Sequence, residues 1–500
     1  MTYKRLLISF AAAALLCGCG DNHGPRSGGE PSLRFNVASG WLGGVGDVVH
    51  DGETYHLFVQ YAPGGDTFDD TGWSHATSEN LTDWTFVGEA IAPDENGYIS
   101  NGSVVVDSDN TSGLSESGEP VFLAYYSYVG PGAAIGRAMS PDKGMTWKKL
   151  PALSLPQAEG ASAPSLIWDS VHGKWVMTLV SKASALFFSS EDCVEWNYVG
   201  TFSDAADDEN VVWWESAELL LPESDDIDET KWVLLVNRNN GPANGSSATR
   251  YYVGDFDGNT FEESQYKKLW LDFGPDCSGV KVFESGEKRI ALGWLNNWEY
   301  ANGLSPEEYR KSLTLPRELK LARDGKNFVL VQNPAVDFES HLEFRYGKEG
   351  RKLNDGDSLV VDIPEADGTN VIRLAFDNKD HFAFWRAERF GIRLVNGDGE
   401  TVTVSYDSRG EYYLLDRGGL SSEIIGASPN KEMGAMYANL EKSSDWTIVR
   451  DGGAIEFFAD GGKVAMTAIC PTVSDFDHLV IFADKGSVTC EKLEIGVVKR

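Results

Sequence analysis

Apolar and polar positions along this chain fall into short runs, with no long helical stripe. Tyr55-His56-Leu57-Phe58-Val59, Val121-Phe122-Leu123-Ala124-Tyr125, Lys174-Trp175-Val176-Met177, Lys231-Trp232-Val233-Leu234-Leu235 and Arg289-Ile290-Ala291-Leu292-Gly293 are each rich in β-branched and aromatic residues. Such side chains fit a pleated, half-buried surface, and Gly, Asp, Asn or Pro turns bound every run. A second regularity overlies the first. Ser78-Glu79 leads to Trp84, Ser140-Pro141-Asp142 to Trp147, and Ser190-Glu191-Asp192 to Trp196, the tryptophans lying 63 and 49 residues apart. That spacing is about one four-stranded blade. The pattern predicts an all-β chain opening with a β-propeller of about five blades over residues 32–325. Each polar turn would close an outer hairpin and its Trp wedge against the next blade. After Leu315-Pro316-Arg317-Glu318-Leu319 the blade motif stops. Hairpin turns at Asn396-Gly397, Arg409-Gly410 and Asp460-Gly461-Gly462 continue, so residues 335–500 read as a β-sandwich.

The first residues carry a different signal. Lys4 and Arg5 precede an apolar run, Leu6 to Leu16, too short to span a bilayer as a helix. It ends in Leu16-Cys17-Gly18-Cys19, which resembles a bacterial lipobox with Cys19 as the lipidated residue. Residues 1–19 therefore read as a lipoprotein signal peptide and residues 20–31, polar and Gly-rich, as a flexible tether. No later stretch is apolar enough to span, so the expected location is extracytoplasmic, on a bacterial membrane through the lipid anchor alone.

Composition narrows the partners. The 500 residues include 76 acidic and 43 basic side chains, a net charge of −33. A phosphate backbone demands a basic face, so a nucleic-acid partner is not expected. The chain holds 15 Trp, 18 Tyr and 24 Phe, which suits a surface that stacks sugars. The four cysteines beyond the leader, Cys193, Cys277, Cys470 and Cys490, fit no zinc spacing, and the histidines never pair at ligand spacing. No metal or cofactor is expected. Cys470 and Cys490 each end an apolar run, compatible with a disulfide and equally with two buried thiols.

Six motifs carry a family resemblance: Tyr55-His56-Leu57-Phe58-Val59-Gln60-Tyr61, Trp73-Ser74-His75-Ala76, Asp94-Glu95-Asn96-Gly97-Tyr98, Tyr252-Val253-Gly254-Asp255-Phe256-Asp257-Gly258, Gly293-Trp294-Leu295-Asn296-Asn297-Trp298 and Leu315-Pro316-Arg317-Glu318-Leu319. In this order they resemble glycoside hydrolase family 32, the levanases, inulinases and invertases. Ala454-Ile455-Glu456-Phe457-Phe458-Ala459-Asp460-Gly461-Gly462 resembles that family's C-terminal sandwich. The resemblance implies a five-bladed propeller followed by a sandwich, and β-fructosides such as sucrose, levan or inulin as ligands.

It also implies three catalytic signatures, which this chain departs from. The family's nucleophile is the Asp of a Trp-Met-Asn-Asp-Pro-Asn-Gly motif; here the stretch reads Trp41-Leu42-Gly43-Gly44-Val45-Gly46, placing Gly43 or Gly44 at the nucleophile position. The Arg-Asp-Pro signature, which holds fructose hydroxyls and stabilises the transition state, corresponds to Ala161-Ser162-Ala163-Pro164. The Glu-Cys acid/base signature reads Glu215-Ser216. Glu215 follows the apolar Val211-Val212-Trp213-Trp214, a setting that favours the protonated form and suits a general acid. Trp41, Gln60, Trp73, Asp272, Asp276, Asn296 and Trp298 are expected to line the sugar pocket. Two readings follow. One is a lipoprotein that recognises fructan or a related glycan without ordinary hydrolysis. The other is an active glycosidase in which Glu215 works opposite Asp47, Asp272, Asp276 or an activated water.

Overall fold

The computed structural model describes residues 32–499, apart from segments at 66–70, 210–211, 225–226, 240, 242–246, 266–268, 304–310, 365–367, 379–384, 424, 426–427, 429–430 and 437–442. Residues 1–31, where a signal peptide, a lipidated Cys19 and a tether were expected, lie outside the described residues. The fold is all-β. Five sheets of antiparallel strands follow one another along the chain, each starting with an innermost strand: Trp41–His50, Tyr98–Asp107, Ser162–Asp169, Trp214–Leu220 and Ser278–Ser285. Neighbouring inner strands pack side by side, and the fifth meets the first, which closes the ring of a five-bladed propeller. Blade five ends with Arg317–Asp324 and Asn327–Pro334, so its outer strand runs past residue 325. Two six-stranded sheets then face each other around one apolar core that includes Ile372, Ile392, Trp446 and Ile481. They form the sandwich.

The repeated Ser…Trp turns lie between the third and fourth strands of blades one to three. In blade two, Ser140 Oγ donates to Asp142 Oδ1 (2.8 Å) and accepts from Gly144 N (2.8 Å), and Trp147 Nε1 donates to the Gly144 carbonyl (3.1 Å). Each Trp sits immediately before the outer strand, on the sheet face that covers the preceding blade. Trp147 meets Phe58 of blade one edge-on at 5.5 Å, and Trp196 meets Tyr125 of blade two at 6.1 Å. The wedge therefore points back along the chain, not towards the next blade. Trp84 follows the same rule around the ring, meeting Phe35 (5.8 Å) in an apolar cluster that joins blades five and one.

Propeller and sandwich are joined by buried charge. Arg317 of blade five donates through Nη1 to Asp272 Oδ2 and Gln332 Oε1 (both 2.8 Å) and through Nη2 to Glu456 Oε2 and Thr467 Oγ1 (both 2.6 Å). Asp272 also accepts from the Thr467 backbone N–H (2.8 Å). A second node reverses the polarity. Arg417 of the sandwich donates to Asp276 Oδ2 (3.0 Å), which also accepts from Ile469 N (2.7 Å), while Asn297 Nδ2 and the Tyr300 hydroxyl occupy Oδ1. All four free cysteines are buried thiols, so Cys470 and Cys490 stand unpaired in the sandwich core. Removing Arg317 would leave Asp272 a buried charge without its cation and Glu456 with Arg34 alone (3.1 Å), a loss of about 3–5 kcal/mol. Arg317→Ala is expected to lower the unfolding free energy by that amount at neutral pH, read from the fall in the urea midpoint. Part of the loss should return at acid pH, because the stranded Asp272 carboxyl binds a proton more tightly folded than unfolded; a midpoint within error of the parent's would contradict this account.

Candidate functional site

The site is built from one backbone device used five times. Each inner strand carries a β-bulge near its first end, where an extra residue falls between paired positions. The irregularities lie between Leu42 and Gly44, Ile99 and Gly102, Ser162 and Ser165, Trp214 and Ser216, and Ser278 and Lys281. A bulge interrupts the ladder and re-aims the side chains around it. The residues at these five places, Gly43, Asn101, Ala163, Glu215 and Gly279, all line one cavity of about 260 Å³ at the mouth of the central channel. Gln60, Ser100, Ser127, Ser162, Ser278, Trp294 and Trp298 complete its polar and aromatic wall.

Glu215 is the one acid among the described residues that line this cavity. Burial pushes its carboxyl up to about 7, and among the described residues no cation or hydrogen-bond donor meets its side chain. Next to it Asn101 Nδ2 donates to the Glu215 carbonyl (3.3 Å) and Asn101 Oδ1 accepts from Gln60 Nε2 (2.6 Å). That chain fixes which faces of the two amides remain for a ligand. Trp298, 37% exposed, forms a flat wall backed by Trp294 (4.7 Å) and stacked at 6.4 Å on the fully buried Trp41.

Two backbone positions are constrained. Gly44 has φ +140°, a conformation open essentially to glycine alone, and a Cβ there would project between Trp294 and Gln60. Ala163 sits at φ +54°, the left-handed region that costs a non-glycine residue roughly 1 kcal/mol and that Asp and Asn tolerate best. Its N–H donates to Ser127 Oγ (2.7 Å), which helps hold the strained turn.

Of the residues expected in the pocket, Gly43, Gly44, Gln60, Ala163, Glu215 and Trp298 meet there. The others do not line it. Trp41 lies behind Trp298. Trp73 is fully buried between blades one and two, its Nε1 donating to the Ser100 carbonyl (2.9 Å), so it packs a blade interface. Asn296 is buried beneath the wall and accepts from the Asn297 N–H (2.9 Å). Asp272 and Asp276 are consumed by Arg317 and Arg417 at the interface with the sandwich. Asp47 lies deeper in the channel, where Oδ1 accepts from Val48 N (2.8 Å) and Oδ2 from Val104 N (2.6 Å). Sequence reasoning missed Asn101, Ser127 and the serines at the bulges. A signal existed in Asn101-Gly102, Ala163-Pro164 and Ser278-Gly279, since Gly or Pro inside a strand pattern marks a bulge.

Comparison with known proteins agrees with this architecture. Residues 35–334 match the glycosyl hydrolases family 32 N-terminal domain, and residues 307–496 the family's C-terminal domain. A levanase of Bacillus subtilis (strain 168) is 29% identical over 485 residues, spanning 94% of this chain and 70% of the levanase. An extracellular exo-inulinase of Aspergillus awamori is 26% identical, over 92% of this chain and 93% of its own length. In fold, a crystal structure of exo-inulinase from Aspergillus awamori superposes with a TM-score of 0.84 at 24% identity, covering 95% of this chain and 99% of the other. A fructofuranosidase from Schwanniomyces occidentalis, complexed with fructose, gives 0.83 at 22% identity, covering 96% and 100%. With its propeller and its sandwich both matched in chain order, the protein belongs to glycosyl hydrolase family 32.

Proposed function

We propose that the protein recognises a fructan or related β-fructoside in the five-bulge cavity, outside the cytoplasm and tethered through Cys19, without the family's usual double displacement. The observation that carries this reading is the lone acid: Glu215 faces Gly43, Gly44 and Ala163, where the resemblance expects a nucleophile and a transition-state stabiliser. Retention needs two carboxyl groups about 5–5.5 Å apart. Losing the nucleophile alone typically costs on the order of 10⁴–10⁶ in rate, because such residues act as a unit. What remains suits binding. Trp298 offers a stacking face, Gln60, Asn101 and Ser127 offer polar groups to hydroxyls, and the partly covered Glu215 can donate as a neutral acid. The names of the extracellular exo-inulinases and the levanase support a β-fructoside and a location outside the cell.

A second reading has its own observation. A carboxyl held near 7 is half protonated at neutral pH, which is what a general acid requires. Opposite it an inverting mechanism needs a base about 6.5–9.5 Å away. Incubation of the purified protein with sucrose, levan and inulin separates the readings. Binding without release of fructose is expected; release that disappears in Glu215→Gln would overturn the binding reading in favour of the second.

The perturbed carboxyl gives a pH dependence of definite sign. A ligand that covers Glu215 favours the neutral acid, so affinity should fall as pH rises through about 7, and Glu215→Gln should bind with a flat profile. Fold stability moves the same way. The folded state holds this proton more tightly than the unfolded chain does, so the contribution is complete below the ordinary carboxylate range and lost as pH rises through about 7. Denaturation at pH 5 and pH 8 should show a smaller difference in Glu215→Gln than in the parent.

The backbone also decides where lost chemistry can be rebuilt. Gly44→Asp is expected to cost about 1–3 kcal/mol in stability, from its positive φ, and to yield no hydrolysis. Gly43→Asp combined with Ala163→Asp places both carboxylates in conformations they can hold. It should release fructose from sucrose above the parent's background, and equal activity in the two constructions would refute the assignment to Gly43.

A further inference from the structure

The channel does not run open through the propeller. One residue from each inner strand closes it: Asp47, Ser103, Ser165, Glu218 and Lys281, in blade order. Lys281 Nζ donates to Glu218 Oε1 (2.6 Å), Ser165 Oγ to Glu218 Oε2 (2.7 Å), and Ser103 Oγ accepts from Leu166 N (3.2 Å) while bonding to Asp47. This layer is buried and leaves a separate cavity beyond it, at the opposite mouth. The second cavity measures about 270 Å³, as large as the first.

Its wall has a composition of its own. Trp168 stands at the rim, 43% exposed, with its ring braced edge-on at 5.2 Å by the buried Trp175. Neither side chain is needed to cover the ring's outer face. His50, Glu284 and Arg289 add polar groups, and Asp47 and Glu218 form the base. Two buried donors of this wall, Trp175 Nε1 and Arg289 Nε, have no hydrogen-bond partner.

From the exposed braced indole, the cavity beside it and the closed polar base, we infer that this opposite mouth is a second saccharide-binding site, with Trp168 as its stacking platform. The charges favour a neutral polyhydroxylated ligand over an ionic one. Lys281 is taken by Glu218 and Arg289 by Glu284 (2.8 Å), so no free cation awaits an anion. Burial raises the carboxyls of both Asp47 and Glu218, which lie around a single ammonium, so the pair favours keeping a proton over presenting two charges to a cation. An aromatic face with surrounding donors and acceptors is what a sugar ring, apolar on its faces and polar at its edge, can use. Two mouths at opposite ends of one propeller would let a tethered protein hold two chain ends, or two segments of one polysaccharide, with the gain in avidity that linked sites provide.

The site is independent of the first, and calorimetry on the full mature chain tests it with neutral trisaccharides built of fructose, glucose or galactose as probes. Trp298→Ala disables the first cavity and Trp168→Ala the second; both side chains are partly exposed, so both variants should fold. The expected result is that Trp298→Ala retains binding to at least one trisaccharide. Adding Trp168→Ala should weaken that binding at least about tenfold, while Trp168→Ala alone lowers the stoichiometry from two to one. Loss of all trisaccharide binding in Trp298→Ala, or residual binding that Trp168→Ala leaves unchanged, would overturn the proposal. Because the two variants act on separate mouths, failure of the first cavity to bind fructosides leaves this outcome readable. Binding of a simple amine such as choline, competing with no sugar, would replace the saccharide assignment with a cation site.

Discussion

Five inner strands must share one axis, and the rest of the molecule follows from that crowding. Side chains on them point into a channel too narrow for all to be large or all to be charged. At the middle level the solution is a hydrogen-bonded layer in which one lysine serves two acids and two serines link them. At the level above, a bulge on every strand turns the extra residue towards the mouth and creates a cavity. At the level below, the strands run in register and leave a second cavity walled largely by their own aliphatic and aromatic residues. Site, closure and second mouth are three consequences of a single geometric constraint.

The same fold shows how buried charge is used for assembly. The interface between propeller and sandwich is not a simple apolar seam. Asp272 and Asp276 reach out from one segment of the propeller, and Arg317 and Arg417 answer from opposite sides. Each acid also accepts backbone N–H groups of the sandwich strand Val464–Ile469, so the charges fix register as well as proximity. Paired and fully hydrogen-bonded, such groups tolerate burial that would be prohibitive for an isolated ion. This explains why two acids near the family's pocket motifs are structural in this chain and not available to a sugar.

The backbone around the cavity is more constrained than its present side chains require. Ala163 still occupies a left-handed conformation that an alanine has no reason to prefer. Gly44 still sits at a φ reserved for glycine. Glu215 still stands at a bulge with burial holding its proton near neutrality. Strain of this kind persists when the surrounding sheet over-determines it. The sheet here does so, because paired residues follow every bulge, although the first strand shifts register again between Val45 and Asp47.

Short β-branched and aromatic runs, turn residues at their ends and a recurring Ser…Trp unit were enough to read five blades followed by a sandwich, since strand propensity and turn chemistry act over a few residues. The ordered motifs were likewise enough to place the chain in its family and to single out Glu215, Gly43, Gly44 and Ala163, which line one cavity. Three-dimensional packing decided which other candidates touch that cavity. Trp73 opens a family motif and Asp276 was expected in the pocket, yet one is spent between blades and the other against an arginine 141 residues away. The direction of the Trp wedge, the five bulges and the polar layer under the site were also outside the sequence's reach. Each depends on which strand lies alongside which, and that is set by closure of the ring, a relation between residues hundreds of positions apart that no local pattern encodes.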